Sequence, residues 1–287
     1  MNNYVIFTDS SCDLSGETLN KWGVYSLSLT FRFNDSEKEY KNDEMEINDF
    51  YSKMKAGSVA KTSAVNSESF LESFEHLVKE GKDILYLGFS SGLSTTFNSA
   101  RLAKEELSQK YPERKIYTVD TLCASAGLAL LLRLVLDAKE NGATIDEARD
   151  LAEQKKQSIC HWFTVDDLVY LKRGGRVSPT VALVGNMLGI KPILHVDREG
   201  HLVSVSKIRG RRAAIETLAA KYGELALTHG TRTYISHASC ENDAILLSKI
   251  LKEKYGAETE IITNVGTVIG AHAGPGTLAL FFEGKER

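Results

Sequence analysis

Cysteine is scarce and unpatterned in this 287-residue chain. Cys12, Cys123, Cys160 and Cys240 form no C-x-x-C pair and no metal-ligand spacing, which predicts reduced thiols in a cytosolic protein without a metal site. Positive charge is not in excess either. The 35 Lys and Arg stand against 38 Asp and Glu, a net charge of -3, and a nucleic-acid binder needs a basic face that this balance does not supply. Long hydrophobic runs are missing: the longest, Leu122 to Leu132, is stopped by Arg133, well short of the roughly 20 residues that span a bilayer. The opening Met-Asn-Asn-Tyr-Val-Ile-Phe-Thr-Asp runs straight into a strand and offers no signal peptide, so the expected location is cytoplasmic. There is no G-x-x-x-x-G-K-[ST] loop, no internal repeat and no low-complexity linker.

What is present is an ordinary globular composition, 43% hydrophobic and 25% charged, sufficient for a full core. Strands are expected at Tyr4–Thr8, Val24–Phe33, Ile84–Leu87 and Ile116–Val119. Helices are expected at Ile47–Ala56, Ser67–Glu80, Thr95–Lys110, Ala124–Asn141 and Ile145–Ser158. Their alternation predicts an α/β fold with a parallel sheet. After Cys160 the character changes. Asp197-Arg198-Glu199-Gly200 separates two β-rich runs within Gly189–Arg209, the pattern of an antiparallel hairpin. A helix (Arg211–Tyr222), a strand (Thr233–Ser236), a helix (Glu241–Tyr255) and a strand (Glu258–Thr263) follow. Two domains are therefore expected, residues 1–157 with a parallel sheet and 158–287 with a mixed sheet, sharing a broad interface.

The richest stretch runs from Asp83 to Ala100: a continuously apolar strand, a loop of glycine and hydroxyls, then a helix that Ser94 is placed to cap. Hydroxyls and free N–H groups at a helix start favour an anion, a carboxylate or a phosphate. Within it, Gly88-Phe89-Ser90-Ser91-Gly92 fits the G-x-S-x-G elbow of hydrolases, with Asp197 and His237 or His272 as triad partners in the right chain order. The elbow starts its helix directly at the nucleophile, whereas Gly92 and Leu93 intervene here. Gly274-Pro275-Gly276-Thr277-Leu278-Ala279 mimics a dinucleotide fingerprint but lacks the βαβ unit that must follow. Just before it, small residues leave His272 uncrowded in what reads as a glycine-rich loop. Lys172-Arg173-Gly174-Gly175-Arg176-Val177-Ser178 joins an apolar run to a helix expected near Pro179 with Ser178 as its cap. Lys207, Arg209, Arg211 and Arg212 form the densest basic cluster and suit an acidic partner.

Taken together, these segments resemble the DegV family of bacterial fatty-acid-binding proteins. The resemblance rests on Thr8-Asp9-Ser10-Ser11-Cys12-Asp13-Leu14, Lys61-Thr62-Ser63, Ser90-Ser91-Gly92-Leu93-Ser94-Thr95-Thr96 and Val119-Asp120-Thr121. It continues through Leu171-Lys172-Arg173-Gly174-Gly175-Arg176, Gly189-Ile190-Lys191-Pro192-Ile193-Leu194 and Gly270-Ala271-His272-Ala273-Gly274-Pro275-Gly276, in the family's order along almost the whole chain. It implies two α/β domains with one long-chain acyl group enclosed between them in an internal hydrophobic tunnel. It also implies a non-catalytic subunit that presents the carboxylate to a separate ATP-dependent fatty acid kinase, giving an acyl phosphate for phospholipid synthesis. No cofactor beyond the bound fatty acid is implied, and no metal. Carried over by motif, the carboxylate is held by Thr62, Ser94 and His272, with Thr95 and Ala273 beside them. Arg173 falls near the pocket mouth, and Arg209 and Arg211 fall in the kinase-docking region. The chain departs from the family pattern at Ala64 and Val65, where Gln and Pro are usual, and at Thr95, where glycine is usual.

Physical chemistry fits that reading. Burying an acyl chain yields about 0.8 kcal/mol per methylene, on the order of 10 kcal/mol gross, so the polar end need only orient the ligand. Two other readings stay open from the residues: a serine esterase or thioesterase using Ser90, and a lipid-sensing regulator that serves no kinase.

Overall fold

A computed structural model describes residues 4–177 and 189–287. In chain order the first part contains β1 (Tyr4–Asp9), α1 (Gly16–Lys21), β2 (Val24–Leu27), β3 (Thr30–Phe33), β4 (Tyr40–Lys41), α2 (Ile47–Lys55), β5 (Ala60–Ser63), α3 (Ser67–Lys79), β6 (Asp83–Gly88), α4 (Thr96–Lys110), β7 (Ile116–Asp120), α5 (Ala126–Glu140) and α6 (Ile145–Lys155). The second contains β8 (Ile159–Thr164), α7 (Val169–Arg173), β9 (Ile190–Val196), β10 (Leu202–Arg209), α8 (Arg211–Leu225), β11 (Arg232–His237), α9 (Glu241–Tyr255), β12 (Glu258–Asn264), α10 (Thr267–Ala273) and β13 (Leu278–Glu283).

The expected α/β architecture is present, with a parallel sheet in the first part and a mixed sheet in the second. The parallel sheet has the order β2-β1-β6-β7. Its inner strand β6 is buried from Ile84 to Gly88, as a strand covered on both faces must be. The mixed sheet has the order β10-β9-β8-β13-β11-β12, antiparallel except for the β11–β12 pair. The expected hairpin is β9–β10, its turn closed by Asp197 Oδ1, which accepts from the N–H groups of Glu199 and His201 at 2.9 Å. Gly200 there has φ +81°, open to glycine at little cost. Helix α6 begins with a reciprocal capping box between Thr144 and Glu147.

Three expectations are corrected. Val24–Phe33 is not one strand: β2 joins the parallel sheet, while β3 pairs with β4 and β5 in a separate antiparallel sheet. The break is fixed by hydrogen bonds from Leu29 N–H to Ser10 Oγ (3.0 Å) and from Asn42 N–H to Ser28 Oγ (3.0 Å), which pull the chain out of the first ladder. His272 does not lie in a loop but in the last turn of α10, a short helix closed by Gly274 at φ +81°. Helix α4 starts one residue later than expected: Thr95 is its cap position, while Ser94 Oγ accepts from Thr96 N–H at 3.2 Å. The helix expected near Pro179, with its Ser178 cap, lies outside the described residues.

Apolar packing continues across both parts. One cluster joins Leu85, Leu87 and the inward face of α5 (Leu128, Leu131, Leu132, Val135) to Phe163, Tyr234 and Phe281 of the mixed sheet. Helix α5 is thus buried on several sides, and the two sheets share one core through it.

Candidate functional site

The carboxyl ends of β1 and β6 meet beneath a single buried carboxylate. Asp9 accepts from Ser11 N–H (3.0 Å), Tyr86 Oη (2.6 Å) and Phe89 N–H (3.1 Å), so it ties the Thr8–Leu14 segment to the hydroxyl-rich loop after β6. Asp120, at the end of β7, holds the same loop by accepting from Ser91 N–H and Leu122 N–H at 3.2 Å. These anchors hold Ser91 to Thr95 along the wall of a cavity of about 490 Å³. That lies within the roughly 300–1,000 Å³ typical of small-molecule sites.

Thr62, Ser94, Thr95, His272 and Ala273 all line this cavity. Thr62 arrives at the end of β5, in register with Phe31 of β3, and its Oγ1 lies 2.8 Å from His272 Nε2. Ser94 Oγ also lies 2.9 Å from Thr96 Oγ1. Thr95 replaces the usual glycine at φ -78°, ψ -2°, a conformation open to any residue. Of the other departures, Ala64 lines the cavity, and Val65 packs into the core beside Phe70.

His272 is held neutral. Burial, and then the positive charge of Arg176, push its pKa down to about 4. Its ring is wedged against Gly174: a Cβ there would sit 2.1 Å from His272 Nδ1. Arg176 was not singled out in the sequence, yet it lines the cavity, donating from Nε and Nη2 to the Leu93 carbonyl at 3.2 and 3.1 Å. With a further bond to the Gly174 carbonyl, it links the Ser94 loop to the turn that abuts His272. Arg173 is not among the lining residues; it is exposed, its guanidinium 5.8 Å from the Tyr170 ring centroid. Hydroxyls, a neutral imidazole and a half-buried guanidinium together form a donor set for an anion of carboxylate type.

The remaining wall is mostly apolar, with Leu29, Phe89, Phe163, Val196, Val268 and Phe281 among its residues. Ser90 is not part of it. Its buried hydroxyl donates to the Gly200 carbonyl at 2.9 Å and accepts from Gly92 N–H at 3.2 Å, with no histidine bonded to it. Asp197 is occupied in the hairpin turn and His272 with Thr62, so the triad expected for a hydrolase is not assembled.

The basic cluster divides. Arg209 is exposed at the end of β10, and no ion pair of its side chain occurs among the described residues. Arg211, by contrast, is turned into the structure, with Nε 2.8 Å from Asp243 Oδ2 and Nη1 3.6 Å from Asp166 Oδ1. Arg212 pairs with Glu216 on the surface of α8. No three His, Cys, Asp or Glu among the described residues are placed to hold a metal ion, and no described helix is long and apolar enough to cross a membrane.

The family model for DegV, whose description reads "Uncharacterised protein, DegV family", matches residues 3–285. This chain belongs to the DegV family. A DegV domain-containing protein of Clostridium perfringens is 41% identical over 289 residues, covering 100% of this chain and 99% of that protein. A protein of Thermotoga maritima named fatty acid-binding protein is 36% identical over 289 residues, covering 98% of each. The crystal structure of a DegV lipid-binding protein from Thermotoga maritima superposes with a TM-score of 0.86 at 34% identity, covering 99% of both chains.

Proposed function

We propose that this DegV family member encloses one long-chain fatty acid in the cavity and presents its carboxylate to an ATP-dependent fatty acid kinase. The observation that carries the reading is that Thr62, Ser94 and His272, from three distant segments, line one largely apolar cavity, with Thr62 and His272 in direct contact. Thr62 and Ser94 donate to the carboxylate, His272 orients Thr62, and Thr95 and Ala273 shape the approach. Arg176 supplies the counter-charge, a role the neutral His272 cannot fill. Arg173 stands at the outer rim, and exposed Arg209 docks an acidic face of the kinase while Arg211 braces the segment beneath it. The ligand lies between two domains, 1–157 and 158–287, in a protein of the cytoplasm. The relatives described as lipid- and fatty-acid-binding support the ligand class.

Denaturing extraction of the purified protein followed by mass spectrometry is expected to release free fatty acid at close to one per chain. Protein that melts cooperatively, yields no lipid and binds no added fatty acid would overturn the reading. A regulator that serves no kinase is distinguished by adding a fatty acid kinase and ATP: acyl phosphate forms only on the presenting reading.

A further inference from the structure

A saturated acyl chain needs only an apolar wall, and the mixed sheet supplies one side of it. Strand pairing sets Ser236 of β11 beside Ala279 of β13, and Ala279 beside Phe163 of β8. The next row of the same face sets Phe281 between Tyr234 and His161. Ser236, Ala279, Phe163, Phe281 and His161 all line the cavity. Both nitrogens of His161 are engaged, Nδ1 with the Ile159 carbonyl (2.9 Å) and Nε2 with Ala124 N–H (3.2 Å).

Ser236 is the exception in this face. It is fully buried, and the partner of its hydroxyl is Ser125 Oγ at 2.9 Å. Ser125 also lines the cavity and donates to the carboxylate of Asp13, whose other oxygen accepts from Gly266 N–H at 3.0 Å. Ser125 is held at φ 55°, ψ -147°, a region that residues with a Cβ rarely occupy. Backbone strain and a buried carboxylate are thus both spent on aiming one serine at another inside an apolar chamber.

Each hydroxyl of this relay has a single proton. With Asp13 ionised, Ser125 donates to it, Ser236 donates to Ser125, and Ser236 shows the cavity only lone pairs. With Asp13 protonated, the direction reverses and Ser236 shows its proton. Burial raises the Asp13 carboxyl to about 7, so both states are populated near neutrality. A ligand group that satisfies both must donate and accept. A hydroxyl does so; a carbonyl only accepts and a methylene does neither.

We propose that Ser236, backed by Ser125 and Asp13, is a subsite for a hydroxyl carried on the acyl chain, so that the cavity takes hydroxylated fatty acids in preference to saturated ones of equal length. A methylene at Ser236 leaves the relay without a partner at its cavity end, whereas a hydroxyl completes it.

The inference rests on the fatty-acid reading above, and the test separates the two. Delipidated protein is titrated with stearic acid and with hydroxystearic acids differing in hydroxyl position, each in competition with a fluorescent fatty acid. One hydroxyl position is expected to bind about tenfold tighter than stearic acid, a difference of about 1.4 kcal/mol. Ser236→Ala should abolish that margin, bringing the hydroxystearic acids level with stearic acid. Equal affinity of the wild type for stearic acid and every hydroxystearic acid overturns the subsite and leaves fatty-acid binding standing. A margin that persists in a folded Ser236→Ala protein overturns it too. Failure of every acid to bind, stearic acid included, overturns both. The wild-type comparison decides the matter even if the variant fails to fold.

Discussion

Replacing Gly174 by alanine tests whether the position of His272 matters to the ligand. At φ -73°, ψ -11° the backbone of Gly174 accepts any residue, so the whole effect is steric. The new methyl would lie 2.1 Å from His272 Nδ1 and 3.1 Å from Cγ and Cε1 of the ring, where ordinary contacts are 3.4–4 Å. The ring must retreat by more than an ångström, and the 2.8 Å contact with Thr62 Oγ1 cannot survive that movement. Overpacking of this kind costs about 1–3 kcal/mol of stability. Gly23→Ala, away from the cavity, is the matched control. Its Cβ meets nothing within 4 Å, but φ +66° strains any side chain, at a cost of about 1–2 kcal/mol. Both variants therefore lose comparable stability, and only the first disturbs the histidine. If Thr62, oriented by His272, holds the carboxylate, Gly174→Ala should release a fluorescent fatty acid about ten- to hundredfold faster, from a hydrogen bond to a charged group worth about 1.5–3 kcal/mol. Gly23→Ala should leave that rate unchanged. Equal release rates from the two variants, with thermal melts showing both folded, would refute the role of His272.

Asp13→Asn is expected to gain stability over the wild type as pH rises. Burial raises the folded carboxyl to about 7 from an ordinary 3.8, so its stabilising proton is fully bound below 3.8 and lost as pH climbs through 7. The wild type should accordingly lose on the order of 4 kcal/mol across that window relative to the Asn variant; parallel urea-melt profiles from pH 4 to 8, these limits being roughly the window's ends, would contradict this. His272 acts in the opposite sense, since its folded pKa of about 4 withdraws stability as pH falls below about 6.5. Arg209→Glu should leave the unfolding free energy within about ±0.5 kcal/mol of wild type while slowing encounter with the kinase, most at low salt. Arg211→Glu should itself destabilise, because it sets a third carboxylate against Asp243 and Asp166; equal melting of the two variants would sink that division. Ser90→Ala should cost about 1–3 kcal/mol by stranding the Gly200 carbonyl, yet leave fatty-acid handling intact. Stable labelling of Ser90 by a fluorophosphonate would instead revive the esterase.

Much of the site could be read from residues alone, because it is built from short segments whose composition is unusual. The hydroxyl loop around Ser94 announces an anion-binding helix start, and the small residues flanking His272 announce close backbone approach. What the sequence hides is direction. Arg173 ends α7 and Arg176 follows three residues on, and nothing in their spacing says that Arg176 turns to the Leu93 carbonyl while Arg173 faces out. Arg211 reads as surface charge for the same reason, since Asp243 and Asp166 are remote in sequence. Strand β8 escaped notice because Ile159 to Thr164 are buried throughout and show no alternation. The Val24–Phe33 run misleads because its propensity is uniformly strand-like; two hydrogen bonds to side chains, invisible in a pattern, decide that it serves two sheets.

β13 follows every other strand in sequence, yet it sits between β8 and β11 near the middle of the mixed sheet. The ladder is therefore completed from its centre by a latecomer. Without β13, β8 and β11 would each keep a bare edge, and the row that carries Ser236 has no neighbour until Ala279 is in place. One strand thus completes both the sheet and a wall of the cavity, so removing the chain from Leu278 onward takes away both together.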